Sequence, residues 1–314
     1  MRIVFAATPG FSVPCLQALL EHPDMDVVGV VSQPDRKSGR GMKLTPSPVK
    51  KAALDAGIDV ITPESLRNND DALAWLNEKK ADFLVVVAFG MILPKQWLDA
   101  VSIAPINVHA SLLPRWRGAA PIERSLLAGD EQTGVCIMHM EEGLDTGGIY
   151  ACQTLAITNT TTGSELWFAL APMGAKLLLE TLPNIFNGLA CVPQDEQGMT
   201  YAKKLHNDER VIDWRMDASA IDRVVRCFSP KPGARTLADG KWLKVIAGEV
   251  LSHHMGRVVN KAEGEILSMK EGLDVVCGGG GVYRITEIQP EGKKAMQAVD
   301  YLRGAKLSIG IILG

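Results

Sequence analysis

The chain has 314 residues, 46% of them apolar and 22% charged, with a net charge of −3. That length is near the point where one core stops growing, so two domains are expected. No apolar run approaches the roughly 18 residues needed to cross a bilayer, and the stretch before Pro9 is too short for a secretion signal. A membrane protein is excluded on this reading, the expected location is the cytoplasm, and the expected assembly is a monomer.

In chain order, residues 3–7 form a continuous apolar run, as in a strand covered on both faces. Ser12 and Pro14 open a helix over 15–21. Strand 27–31, helix 49–56, strand 58–61, helix 70–80 and strand 83–89 follow. Strands at 103–109, 135–140 and 150–157 precede a long helix at 162–187. This alternation predicts an α/β domain over 1–189. It is Rossmann-like, a mostly parallel sheet with helices on both faces. Residues 190–209 lack periodicity and read as a linker. From 210 to 314 a helix at 218–227 is followed by short glycine-broken strands at 241–251, 264–269, 272–277 and 282–288. They predict a smaller, OB-like β-barrel.

Charge is unevenly spread. Residues 210–314 carry 16 Lys/Arg against 12 Asp/Glu, and residues 34–51 carry six basic residues against Asp35 alone. Charge alone favours a solvated loop and a mildly basic domain. Such patches are also the footprint of a phosphate backbone. The six cysteines are widely spaced and form no CxxC pair, which predicts free buried thiols and no metal site.

In an open parallel sheet, ligands bind at the carboxyl ends of the strands. One strand ends Ile106-Asn107-Val108-His109, and alternation puts Asn107 and His109 on one face. Residues 111–122 then combine two arginines, a tryptophan and small residues in a stretch too irregular for helix or strand. That suits a binding loop. Gly143-Leu144-Asp145-Thr146-Gly147 is a glycine-flanked turn. Its carboxylate is either a solvated turn residue or a partner for the imidazole.

Asn107-Val108-His109 with Ser111-Leu112-Leu113-Pro114, and Gly143-Leu144-Asp145-Thr146-Gly147, resemble the formyltetrahydrofolate-using transferases and hydrolases. Several further stretches narrow the resemblance. They are Gln33-Pro34-Asp35-Arg36, Leu44-Thr45-Pro46-Ser47-Pro48-Val49-Lys50, the whole run 113–122, Lys204-Leu205 with Ile212-Asp213-Trp214, and Gly292-Lys293-Lys294-Ala295-Met296. Together they are similar to the methionyl-tRNA formyltransferases, from residue 2 to about 303. Ala110, Ser229 and Lys231 depart from that pattern, which commonly has Gly, Asn and Trp there.

The resemblance implies transfer of a formyl group from 10-formyltetrahydrofolate, a co-substrate, to the amino group of methionine on initiator tRNA. It implies a catalytic trio of Asn107, His109 and Asp145. The folate is expected along Phe89, Gly90, Met91, Ile92 and Leu93 and along Ser111, Leu112, Leu113 and Pro114. The tRNA is expected on Arg36, Lys37, Arg40 and Lys43 of a mobile basic loop, with Lys204 and Lys293 as further contacts. Two rivals are weighed against this reading. A deformylase or small-amine formyltransferase would share the trio but leave the basic loop unexplained. A non-catalytic tRNA-binding protein would not need Asp145. Gly278–Gly281 reads as a turn, Thr8-Pro9-Gly10 lacks dinucleotide spacing, the neighbours His253 and His254 face opposite ways, and His139 reads as structural.

Overall fold

The computed structural model describes residues 1–38, 41–252 and 261–314. The expectations for Arg40, His253 and His254 therefore lie outside the described residues.

Strands β1 (Arg2–Ala7) and β2 (Asp26–Val31) flank helix α1 (Val13–Glu21). A short hairpin, β3 (Arg36–Ser38) and β4 (Lys43–Thr45), leads to α2 (Pro48–Asp55) and β5 (Val60–Ile61). Next come α3 (Asp70–Lys79), β6 (Phe83–Val87), α4 (Lys95–Leu98) and β7 (Ala104–His109). Then follow β8 (Arg117–Gly118), α5 (Pro121–Ala128), β9 (Gln132–His139), β10 (Ile149–Ala156), α6 (Gly163–Phe186) and β11 (Tyr201–Ala202).

Every residue of β6 and β7 is buried, which is why both read as unbroken apolar runs. The helices start where local chemistry allows. Ser47 accepts from Lys50 N and is followed by Pro48, while Asn69 accepts from Ala72 N ahead of Asp70 and Asp71.

The sheet order is β10-β9-β7-β6-β1-β2-β5. Its centre is parallel, and β9 and β10 add antiparallel at one edge. Strand order reverses between β1 and β6, the switch point where a crevice opens. Side chains already gather there. Thr8 Oγ1 and Gln33 Nε2 both donate to Phe89 O at 2.9 Å, and Ser12 Oγ donates to Val87 O at 2.7 Å.

The second unit holds α7 (Ala218–Phe228), β12 (Ala234–Ala238), β13 (Lys241–Ser252), β14 (Ile266–Ser268), β15 (Leu273–Val276), β16 (Val282–Pro290), β17 (Met296–Gln297) and α8 (Ala298–Leu302). Its antiparallel sheet runs β12-β13-β16-β15-β14, with β17 on β16. Register shifts along β13 are bulges, which bend and twist a strand.

The first compact unit is 1–121, 132–156 and 167–203; the second is 122–131, 157–166 and 204–314. Two short segments thus join the second unit from earlier in the chain. Arg223 Nε donates to Leu127 O, Arg226 Nη1 to Thr161 O, and Arg124 pairs with Glu209. The expectation of six free thiols is corrected. Cys136 and Cys152 are opposite one another on β9 and β10, Cα atoms 4.1 Å apart, and are disulfide-bonded. Sixteen residues separate them, so their spacing carries no sign of the pairing. Cys15, Cys191, Cys227 and Cys277 are free.

Candidate active site

Strand β7 presents Asn107 and His109 on one face, both buried. Asp145 arrives from the turn between β9 and β10, its backbone in the left-handed region at φ +53°. Asp is one of the few residues that tolerates this conformation. Its carboxylate gathers the site. Asn107 Nδ2 donates to Oδ1 at 3.2 Å and Gly118 N donates to Oδ2 at 2.7 Å. His109 Nδ1 is 3.8 Å from the same Oδ2.

The other side of the imidazole is fixed as well. His109 Nε2 lies 3.0 Å from Trp116 O. A carbonyl can only accept, so Nε2 carries a hydrogen. In the neutral ring Nδ1 is then a bare lone pair pointing toward a carboxylate. Protonation at Nδ1 turns that opposition into attraction.

The loop after β7 is held by contacts to residues far along the chain. Ser111 Oγ donates to Arg115 O, Trp116 N donates to Thr200 Oγ1, and β8 pairs with β11. Gly118 has φ +120°, and a Cβ there would stand 2.8 Å from Ala202 O. Only glycine lets this strand approach closely enough for its N–H to reach Asp145.

Beneath the turn, Gln194 Nε2 donates to Asp145 O at 2.8 Å and to Gly147 O at 2.7 Å. Its Oε1 accepts from Arg117 Nε at 3.0 Å and Nη2 at 2.7 Å, and Arg117 is buried. Gln194→Ala leaves two carbonyls and a buried guanidinium without these partners. It should cost about 1–3 kcal/mol in urea unfolding and should slow turnover by loosening Asp145.

Motif reasoning missed Gln194, Arg117 and Gly118 as supporting residues. Arg117 and Gly118 stood inside the run singled out as a loop. Gln194 lies in the stretch read as linker and carries no local signal.

The expected folate segments divide by exposure. Phe89 and Leu93 belong to the core cluster with Trp97, and Met91 packs against it. Gly90 turns at φ +76° with Gln33 Nε2 where a Cβ would be, and Ile92 is 89% exposed. Ser111 is fully buried, and Leu113 packs with Cys136 and Met138. Leu112 and Pro114 are half-buried. Arg36, Lys37 and Lys43, expected on a mobile loop, are exposed together on the β3–β4 hairpin. Short antiparallel pairing satisfies the backbone there without a core. Lys204 and Lys293 are exposed in the second unit. Among the described residues no helix is long and apolar enough to cross a membrane, and no group of three acidic, His or Cys side chains could hold a metal.

Residues 1–182 match the family described as Formyl transferase, and residues 204–306 match Formyl transferase, C-terminal domain. The methionyl-tRNA formyltransferase of Pseudoalteromonas translucida is 45% identical over 318 residues, covering 100% of this chain and 98% of the relative. That of Magnetococcus marinus is 46% identical over 315 residues, with the same coverage. Among solved structures, an N-formyltransferase from Helicobacter canadensis shares the fold at 18% identity with a TM-score of 0.67, over 90% of this chain and 98% of that one. Phosphoribosylglycinamide formyltransferase from Bacillus halodurans covers 60% of this chain and 97% of its own at 22% identity, with a TM-score of 0.51.

Proposed function

The chain belongs to the formyl transferase family, within it to the methionyl-tRNA formyltransferases, and on that premise we propose that Asn107, His109 and Asp145 carry the chemistry. The reaction moves a formyl group from 10-formyltetrahydrofolate to the amino group of methionine on initiator tRNA. The observation that supports the assignment best is the Asp145 carboxylate, which meets Asn107, Gly118 and His109 at once.

As the amine attacks, negative charge gathers on the formyl oxygen. Asn107 spends one amide hydrogen on Asp145 and has a second to give that oxygen. The amine must lose a proton and the departing folate nitrogen must gain one. His109 Nδ1 takes the first and returns it to the second. Asp145 steadies the protonated ring and fixes the Asn107 amide. No bond to the enzyme forms at any stage.

The folate supplies the formyl carbon. Backbone groups around Gly90 and along Ser111–Pro114 would read its pterin edge, with apolar side chains covering the ring. A solved sugar N-formyltransferase with the same fold was crystallised with dTDP and 5-N-formyl-THF. Arg36, Lys37 and Lys43 on the hairpin, together with Arg40, meet the acceptor arm, and Lys204 and Lys293 add backbone contacts. The enzyme works as a monomer in the cytoplasm, where its charged tRNA is made.

The assignment is tested by following labelled formyl from the folate. Wild type should deliver it to methionyl initiator tRNA, and predominant formate release would replace the transferase reading with a deformylase. Changing Arg36, Lys37 and Lys43 to Gln together should weaken tRNA binding, flattening its salt dependence by about one unit of slope for each phosphate left unpaired. The KM for folate should stay unchanged. Equal loss toward both substrates would remove the hairpin from the tRNA site.

A further inference from the structure

Three half-buried arginines of the second unit pair with acids, while Arg223 donates its Nε to Leu127 O. Arg124 pairs with Glu209, Arg226 with Asp222, and Arg284 with Asp274. Arg210 and Arg235 have no acid partner among the described residues. Residues 210–212 run beside β12: Arg235 N donates to Arg210 O and Ile212 N to Arg235 O, each at 2.8 Å. The two guanidinium-bearing residues are thereby neighbours.

Among the described residues neither forms an ion pair, and the Nε atom of each is buried without a hydrogen-bond partner. Among the described residues Arg210 is tethered by Nη1 to Pro232 O at 3.5 Å. Burial and the adjacent Arg235 charge both push the Arg210 pKa down. A charge disfavoured by burial and by a like neighbour, with no ion pair among the described residues, carries a cost that an anion from outside would relieve.

The surrounding face is built to hold Arg235. Arg235 is opposite Lys244, and alternation puts Arg235, Leu237, Trp242 and Lys244 on one face of the β12–β13 pair. Ala234, Thr236, Ala238, Leu243 and Val245 fill the buried face. The Arg235 guanidinium lies 4.0 Å from the Trp242 ring centroid, a stacking contact that orients its planar fork. Lys244 adds a third cation and also lacks an ion pair among the described residues. Planar guanidinium forks match phosphate oxygens two at a time.

We propose that Arg210 and Arg235, with Lys244 at the rim and Trp242 as the platform for Arg235, form a clamp for backbone phosphates of the tRNA. The clamp rests on the acceptor reading given above and deepens it, because it names the groups in the second unit that meet the phosphate backbone.

The test is equilibrium binding of deacylated initiator tRNA to the full chain over a salt series, alongside formylation kinetics. Arg210→Gln with Arg235→Gln should reduce the slope of log affinity against log salt by about two, one for each phosphate the variant no longer neutralises. The KM for tRNA should rise about tenfold or more, while kcat at saturating tRNA and the KM for folate hold. Arg210→Lys with Arg235→Lys should recover part of the slope, since charge returns without the fork. A folded Gln variant with the wild-type slope and KM overturns the clamp. Should that variant fail to fold, Lys244→Glu decides, because it must raise the KM for tRNA; an unchanged KM sinks the proposal equally. Wild type that binds tRNA without salt dependence would instead bring down the acceptor reading, and the clamp with it.

Discussion

Asp145→Ala is expected to lower kcat/KM for formyl transfer by about 10³ or more while leaving tRNA affinity close to wild type. Asp145 links Asn107, Gly118 and His109. It accepts from Asn107 and Gly118 and stands 3.8 Å from His109 Nδ1. Without it the Asn107 amide loses its orientation and the imidazolium loses its counter-charge. Removing one transition-state donor commonly costs about 10²–10³. The two losses will not simply multiply, because the groups act as a unit.

Asp145→Asn is the sharper control. Asn accepts the left-handed backbone at φ +53° and keeps an oxygen for the Gly118 N–H, but not the charge. Its rate should remain far below wild type, which would assign the effect to the carboxylate's charge and not to a collapsed turn. Single-turnover transfer of labelled formyl is the measurement. Rates within about tenfold of wild type for both variants would remove Asp145 from the mechanism.

His109→Ala carries the second large effect, a loss of about 10²–10⁴ in kcat expected from removing a general acid–base group. The distinguishing readout is the pH–rate profile. Wild type should show a limb set by the Nδ1 proton, and that limb should vanish in the variant. The side chain is almost fully buried, so truncation alone could loosen the strand end. His109→Gln keeps much of the volume and a polar group, separating packing from proton transfer. A Gln variant with wild-type rate and an unaltered pH limb would mean the imidazole only fills space. Asn107→Ala should retain the limb while losing rate, because the amide donates a hydrogen bond and does not titrate.

Much of this pocket was legible along the chain. The period-two alternation in Ile106-Asn107-Val108-His109 requires the amide and imidazole to share a face, whatever surrounds them. Continuous apolar runs at 3–7 and 83–89 read as strands covered on both sides, which leads to a parallel sheet and to ligands at its carboxyl ends, and the second strand ends at Val87. The turn at 143–147 left its carboxylate with two readings, and no local pattern could choose between them. The structure decides for the imidazole and amide, because Asp145 folds back from far along the chain to reach His109.

Other features have no local signature at all. Gln194 meets Asp145 across 49 residues, from a stretch whose lack of periodicity resembles a linker. Cys136 and Cys152 become partners only because β9 and β10 pair in one particular register. Arg210 and Arg235 become neighbours only because residues 210–212 line up beside β12. Composition and periodicity determined the strands, the helices and which face each polar residue occupies, since those follow from backbone geometry over a few residues. Which of those faces meet was decided by the tertiary structure alone. Such meetings depend on strand register and on loop closure across tens of residues, which no short window of sequence encodes.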